Sequence, residues 1–185
     1  MDSKFKKIDG TYIEDVAKYC ENFVKTRDGD VQIMIGADSL PKGRRYATYT
    51  TVIVLYTVGK GAHIIFSRQR RVSVSNDHTR LWAEVEKALS VATYLRDNGI
   101  LEIPNVKSLD ISIHLDFNKD SKHLSNSLHD AAIGYVKSMG FECHTKPEAP
   151  AASYAADKIC RGLDEITGKI GFADGRMKPK VRRKD

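Results

Sequence analysis

Two apolar segments of this sequence each end in an aspartate. IGAD ends at Asp38 and IHLD ends at Asp116. Functional groups of open α/β sheets gather at the carboxyl ends of parallel strands, so two such neighbouring strands would bring these carboxylates together. Like charges about 4 Å apart repel by roughly 4 kcal/mol at an effective dielectric near 20. Mg²⁺ removes this repulsion and prefers carboxylate oxygens. The pair therefore predicts a divalent-cation site, although either aspartate alone is compatible with the start of a turn.

Two further residues bear on this site. Gly36 lies two positions before Asp38 and hence on the same strand face, where a missing side chain is expected to leave room beside the carboxylate. Glu84 lies at the margin of the apolar stripe of a helical segment and can lean toward the sheet edge, whereas Glu86 points to solvent. The alternative for Glu84 is a surface carboxylate that pairs with Lys87.

Hydrophobic periodicity predicts the elements that carry these residues. The capping-box pattern Thr11-x-x-Glu14 predicts an N-terminal helix that ends before Asp28-Gly29-Asp30. Later segments predict three strands, then helix, strand, helix, strand and helix, over residues 31–39, 45–56, 62–72, 77–98, 108–118, 125–140, 141–146 and 151–163.

This order predicts an α/β fold with a mixed five-stranded sheet and helices on both faces. The first three strands, joined by short turns, form an antiparallel meander. A strand–helix–strand crossover makes the first and fourth strands neighbours and parallel. The chain then divides into an N-terminal helix packed on the core (residues 1–29), the α/β domain (30–168) and a basic, flexible tail (169–185).

The residues at the predicted site resemble a known superfamily. IGADS on the first strand, the helical glutamate of TRLWAEVEKAL and the aspartate of ISIHLDFN are similar to the ribonuclease H-like nucleases. KPEAPAASYAADK narrows the resemblance to the family of ribonuclease H-related nucleases typified by YkuK, over about residues 30 to 165. The resemblance implies that Asp38, Glu84 and Asp116 are catalytic metal ligands, with Asp157 as a fourth. An Asp157–Arg161 pair explains that last residue equally well. The first strand reads Asp38-Ser39-Leu40 and lacks the D-x-E of proofreading exonucleases.

The implied reaction is in-line hydrolysis of a phosphodiester bond in RNA, an RNA–DNA hybrid or a structured nucleic acid. Two Mg²⁺ or Mn²⁺ ions, about 3.5–4 Å apart, would activate a water and stabilise the leaving oxygen. His114 shares a strand face with Asp116. We interpret it as a hydrogen-bonded interior histidine rather than as a residue that supports the metal ligands. His123 and His129 are expected at the surface.

Basic residues cluster in three places that suit backbone phosphates. They are Lys42, Arg44 and Arg45 at the first hairpin, Arg68, Arg70 and Arg71 on the third strand, and the tail GRMKPKVRRKD. Tyr46 and Tyr49 are candidates for base stacking, although strand tyrosines more often pack.

Composition is that of a globular protein. The chain has 185 residues, 41% hydrophobic and 29% charged, with a net charge of +6 that suits a polyanionic partner. The scattered Cys20, Cys143 and Cys160 favour free thiols in a reducing compartment. MDSKFKKIDG lacks the apolar stretch of a signal peptide, and TVIVLYTV is too short to cross a bilayer, which predicts a cytoplasmic protein.

Two other functions compete with the nuclease. A non-catalytic nucleic-acid-binding domain would keep the basic residues without using the carboxylates. An ATP-dependent phosphotransferase would need a glycine-rich phosphate loop after a strand, and DSLPKGRR is a poor one.

Overall fold

The computed structural model describes residues 4–106, 110–117, 126–146 and 151–160, together with the backbone of 172–173 and 176–177. Its strands are β1 (Phe5–Lys7), β2 (Tyr12–Ile13), β3 (Val31–Lys42), β4 (Tyr46–Thr57), β5 (Gly61–Ser73), β6 (Ile111–Leu115), β7 (Glu142–Thr145), β8 (Phe172–Ala173) and β9 (Arg176–Met177). Its helices are α1 (Val16–Lys25), α2 (Asp77–Asp97), α3 (Asn126–Ser138) and α4 (Ala151–Cys160). A short 3-10 turn at Ile100–Glu102 follows α2.

A seven-stranded mixed sheet forms the centre of the molecule, in the order β2-β1-β5-β4-β3-β6-β7. Strands β3, β4 and β5 form the predicted antiparallel meander. The predicted parallel contact between the first and fourth strands is also present, as β3 against β6, and β7 continues the parallel half. The mixed α/β architecture is confirmed, but the prediction of five strands is wrong, because two N-terminal strands extend the sheet.

The second of these extra strands, β2, replaces the start of the predicted N-terminal helix. Tyr12 belongs to β2, and α1 begins only after Asp15, whose side chain accepts a hydrogen bond from the backbone N–H of Lys18. Strand β1 pairs with β5 and buries Phe5, so pairing along an open sheet edge outweighs the local capping-box pattern at Thr11. The end of the predicted helix, before Asp28, agrees with the structure.

The two faces of the sheet have different covers. The larger core lies under α1, α2 and α3, on what we call the α2 face. The opposite face, the α4 face, packs against the small side chains of α4, chiefly alanines. Successive strand residues alternate between the faces. Ile33 and Ile35 of β3 therefore enter the first core, while Met34 enters the second.

The sequence also makes predictions about the cysteines, the apolar segments and the C-terminal tail. All three cysteines are free thiols, with Cys20 and Cys160 buried and Cys143 half-buried. Within the described part of the chain, no helix is both long and apolar enough to span a membrane. The predicted tail lies outside the described residues except for β8 and β9, which pair with each other.

Candidate active site

The two predicted aspartates lie on neighbouring parallel strands in register, Asp38 inside β3 and Asp116 directly after β6. Gly36 of β3 pairs with His114 of β6, and Asp38 and Asp116 each lie two residues further along. Because side chains alternate along a strand, both carboxylates belong to the α4 face. Both are half-buried. The fold thus places the two aspartates on adjacent strands and on one face, but the prediction that Asp38 ends its strand is wrong, because β3 continues to Lys42.

Glu84 approaches the same edge from the α2 face and is only 3% exposed. The Ser39 hydroxyl donates a 2.6 Å hydrogen bond to its Oε1. One nitrogen of Arg80 donates to the Ser39 hydroxyl at 2.6 Å and lies 3.4 Å from the same Oε1. The reading of Glu84 as a surface carboxylate is therefore wrong. Glu86 is exposed, as predicted, and accepts a hydrogen bond from Trp82.

The surroundings of Glu84 raise its pKa to about 8. Burial is the largest cause, and the charges of Asp38 and Asp116 raise it further. The Ser39 hydrogen bond and the Arg80 guanidinium act in the opposite direction without cancelling the effect. Asp38 and Asp116 therefore both lie within electrostatic range of Glu84, and a nearby cation would favour the ionised form of Glu84.

A lysine occupies part of this acidic cluster. Lys146 lies just after β7, and its ammonium forms an ion pair with Oδ1 of Asp116. The angles of this contact are not those of a hydrogen bond. In the described ranges, no three His, Cys, Asp or Glu side chains are arranged closely enough to hold a metal ion. The donor types and the accumulated negative charge fit Mg²⁺ or Mn²⁺, but coordination would require Asp116 to exchange Lys146 for the ion.

The space that Gly36 was expected to leave beside Asp38 is filled by α4. A Cβ on Gly36 would lie 2.8 Å from the carbonyl carbon of Ala152 and 3.0 Å from its Cβ. The glycine therefore allows close packing of helix on strand rather than room for an ion, and that prediction is wrong. Its consequence for the site is indirect, since this packing seats α4 beside the aspartates.

Asp157 lies on α4, half-buried, with Oδ2 3.9 Å from Nζ of Lys158. It is not among the charges that shift the pKa of Glu84. Arg161, its alternative partner, lies outside the described residues. The role of Asp157 as a fourth ligand stays a prediction.

Two of the three histidines considered in the sequence analysis are buried, and the third lies outside the described residues. His114 is buried beside Ser112, with 3.1 Å between Nε2 and the hydroxyl, and burial lowers its pKa to about 3, as expected for an interior histidine. His129 is also buried, between Asp130 and Thr145, so its predicted surface position is wrong. His123 lies outside the described residues.

The basic residues of the hairpin between β3 and β4 are exposed, namely Lys42, Arg44 and Arg45. On β5, Arg70 and Arg71 are exposed and Arg68 is half-buried. Tyr49 is buried, and its hydroxyl donates to the backbone oxygen of Arg80 at 3.2 Å, whereas Tyr46 remains exposed. Strand β3 runs straight to Lys42 and then into β4, so the segment has no strand-to-helix phosphate loop of the phosphotransferase type.

Sequence analysis missed three residues that contact the carboxyl groups. Arg80 lies one helical turn before Glu84 and was detectable from that spacing. Ser39 follows Asp38 but points to the opposite face, where it meets Glu84. Lys146 carried no usable sequence signal, because only the pairing of β6 with β7 brings it beside Asp116.

Comparison with known proteins gives one match. The family model described as Ribonuclease H-like matches residues 15–161. No curated protein matches the chain. No solved structure matches it either. The matched range contains all four predicted acidic ligands and begins after β1 and β2.

Proposed function

Because the chain belongs to the ribonuclease H-like family, whose membership indicates a nucleic-acid-related function, we propose that it is a metal-dependent nuclease. The reaction would be hydrolysis of phosphodiester bonds by a two-metal-ion mechanism. The observation that carries the proposal is the buried carboxyl of Glu84, whose pKa is raised to about 8 partly by Asp38 and Asp116. A carboxyl group whose pKa is strongly perturbed by burial and by neighbouring carboxylates is typical of functional sites.

Asp38, Glu84 and Asp116 would hold Mg²⁺ or Mn²⁺, with Asp157 as a further ligand. When bound, such ions supply a deprotonated water at neutral pH and stabilise charge on the leaving oxygen. Ser39 and Arg80 orient Glu84 through their hydrogen bonds to it and to each other.

Lys146 would act as the counter-ion of Asp116 in the metal-free protein. Its ammonium lies on a flexible side chain that is half exposed, so it can leave the carboxylate without disturbing the core. Basic residues of the first hairpin and of β5 would hold backbone phosphates of the nucleic acid without reading its sequence. They are Lys42, Arg44, Arg45, Arg68 and Arg70.

The test is a panel of labelled single-stranded RNA, RNA–DNA hybrid and branched substrates with Mg²⁺ or Mn²⁺. Wild type is expected to cleave at least one of them, while Asp38→Asn and Asp116→Asn reduce cleavage to background. Asp97→Asn is the matched control, because Asp97 is exposed at the end of α2 and pairs with Arg96. Metal-dependent cleavage that survives in a folded Asp38→Asn variant would contradict the assignment.

A second candidate is a non-catalytic nucleic-acid-binding domain on the same fold. The Lys146–Asp116 ion pair favours it, since this pair satisfies an aspartate without any metal. A thermal-shift titration separates the two functions, because a ligand that binds the folded state raises the melting temperature with concentration. The nuclease should be stabilised by Mg²⁺ or Mn²⁺, and the binding domain should not.

A further inference from the structure

The N-terminal hairpin of β1 and β2 forms one wall of a groove that we call the hairpin groove. It has a volume of about 470 Å³ and is lined by Lys4, Lys6 and Tyr12 from the hairpin and by residues 67–70 of β5. Lys6 pairs with Tyr12 on one side and with Phe66 of β5 on the other. The three hairpin side chains therefore share the α4 face of the sheet.

The lining of the hairpin groove is strongly basic. It contains Lys4, Lys6, Arg70 and the half-buried Arg68, whose guanidinium also donates to the backbone oxygen of Ile159 in α4. The other described members, Tyr12 included, are uncharged. A concave surface with several cations and no carboxylate attracts a polyanion and concentrates it locally. Nucleic-acid backbone satisfies this charge pattern, since it presents one phosphate per nucleotide.

Tyr12 adds an aromatic surface to these charges. Its side chain is 70% exposed, the largest exposure among the big hydrophobic residues of the described chain. The Lys6 ammonium lies 4.9 Å from the centroid of the Phe66 ring and makes a cation–π contact with it. Basic grooves combined with exposed aromatic rings bind single strands, because unpaired bases stack on the ring while the cations follow the backbone.

A β-bulge in β5 shapes the end of the groove. Ala47 pairs with Val72 but Tyr49 pairs with Gln69, so β5 contains one residue more than β4 over this stretch. Arg71 takes a left-handed backbone conformation at φ 57°, an unfavourable state for a non-glycine residue. Bulges redirect neighbouring side chains, and here Arg70 joins the groove lining.

The groove lies on the same sheet face as the two aspartates. Asp38 pairs with Thr50 across β4, and Thr50 pairs with Arg68 on β5. At about 4.8 Å per strand, Arg68 is roughly 10 Å from Asp38 and β1 roughly 15 Å. The end of α4 lies between them, because Ile159 and Cys160 contact Arg68 and the backbone oxygen of Asp38. A nucleic-acid strand that reaches both places must therefore pass beside α4, and it needs more than the roughly four stacked nucleotides that the straight distance would take.

We propose that the hairpin groove binds the backbone of single-stranded nucleic acid and stacks one of its bases on Tyr12. The nucleotides bound in the groove would flank the segment of the same nucleic-acid strand that reaches Asp38 and Asp116. The proposal therefore rests on the nucleic-acid part of the proposed function. Residues 4 to 12 precede the range matched by the family model, which begins at residue 15. The hairpin wall of the groove therefore lies before the matched range, while the wall formed by residues 67–70 lies inside it.

The test measures binding of fluorescein-labelled single-stranded RNA and DNA of 4 and 12 nucleotides by anisotropy, in EDTA so that nothing is cleaved. Two variants address the groove, Lys4→Gln/Lys6→Gln and Tyr12→Ala. The matched controls are Tyr12→Phe, which keeps the aromatic ring, and Lys18→Gln/Lys137→Gln. The latter removes two exposed lysines from helices on the α2 face.

We expect Tyr12→Ala to weaken binding of the 12-mer about tenfold, within the range found for base–aromatic stacking, and Tyr12→Phe to bind as wild type does. The lysine pair should flatten the dependence of log K on log salt by about 1.4, since each phosphate contact to a single strand contributes about 0.7. The control lysine pair should leave the slope unchanged. The 4-mer cannot reach from the hairpin groove to Asp38. In the groove variants it should therefore lose less affinity than the 12-mer.

Two outcomes overturn the proposal: wild-type affinity in both groove variants, or an equal loss of affinity in both lysine pairs. These outcomes are separate from the nuclease test. A protein that binds through the groove but cleaves nothing keeps the groove and loses the nuclease. If the protein cleaves, but its binding is unchanged in the Tyr12 and lysine variants, the nuclease is kept and the groove proposal is lost.

Discussion

The buried carboxyl of Glu84 should make the metal-free protein lose stability as the pH rises. Its pKa is raised from 4.5 to about 8. Between these values the unfolded chain has released the proton while the folded chain retains it, so folding becomes less favourable with increasing pH. At about 1.36 kcal/mol per pH unit, the loss between pH 4.5 and pH 7 is about 3 kcal/mol.

Glu84→Gln removes this titration and keeps an oxygen that can accept the Ser39 hydrogen bond. We expect the variant to gain about 3 kcal/mol over wild type between pH 4.5 and pH 7 in EDTA, with little further change above pH 8. The assay is urea denaturation followed by circular dichroism at half-unit pH steps. Glu86→Gln is the control on the same helix, because Glu86 is exposed, and its difference from wild type should be small and flat.

A stability difference between Glu84→Gln and wild type that stays constant from pH 4.5 to pH 7.5 would refute the reasoning. It would mean that the carboxyl is better solvated than its 3% exposure indicates. The same pair of proteins probes the cluster further. Saturating Mg²⁺ should stabilise wild type more than Glu84→Gln, because only the carboxylate gains from a nearby cation.

Other perturbations test the remaining contacts. Lys146→Met removes the ammonium paired with Asp116 and should lower the Mg²⁺ concentration needed for half-maximal thermal stabilisation; an unchanged or higher concentration would contradict the counter-ion role. Gly36→Ala places a Cβ 2.8 Å from Ala152 and should cost about 1–3 kcal/mol in urea denaturation. Gly134→Ala, exposed on α3 with no atom within 4 Å of the added Cβ, should instead stabilise by about 0.5–1 kcal/mol. Deleting residues 175–185 should weaken nucleic-acid binding and flatten its salt dependence, and an unchanged slope would rule out phosphate contacts by the tail.

The success of the sequence-based prediction followed the strength of the local patterns. Long segments with β-branched residues and short turns, such as β3 to β5, specify a meander almost by themselves. The parallel contact of β3 with β6 followed from crossover geometry, which has few alternatives. The N-terminal segment failed because its local signal was weak and the decisive hydrogen bonds come from β5, about 60 residues away.

For the candidate site too, local patterns were predicted correctly and contacts between distant residues were not. Residue types and strand ends identified Asp38 and Asp116, since the chemistry of paired carboxylates is readable from the chain. Helical periodicity placed Glu84 at the edge of an apolar stripe but did not reveal that it is buried against Ser39. Gly36 was interpreted as open space because the position of α4 above it was unknown.

The sequence by itself determined the element order, the acidic residues and the excess of positive charge, because these depend on neighbours a few positions apart. Only the tertiary structure decided which faces those residues share, how deeply Glu84 is buried, that Lys146 pairs with Asp116 and that the hairpin lies beside Arg68. The physical reason is that burial, electrostatic range and cavity shape depend on atoms distant in sequence. No periodicity along the chain encodes those distances.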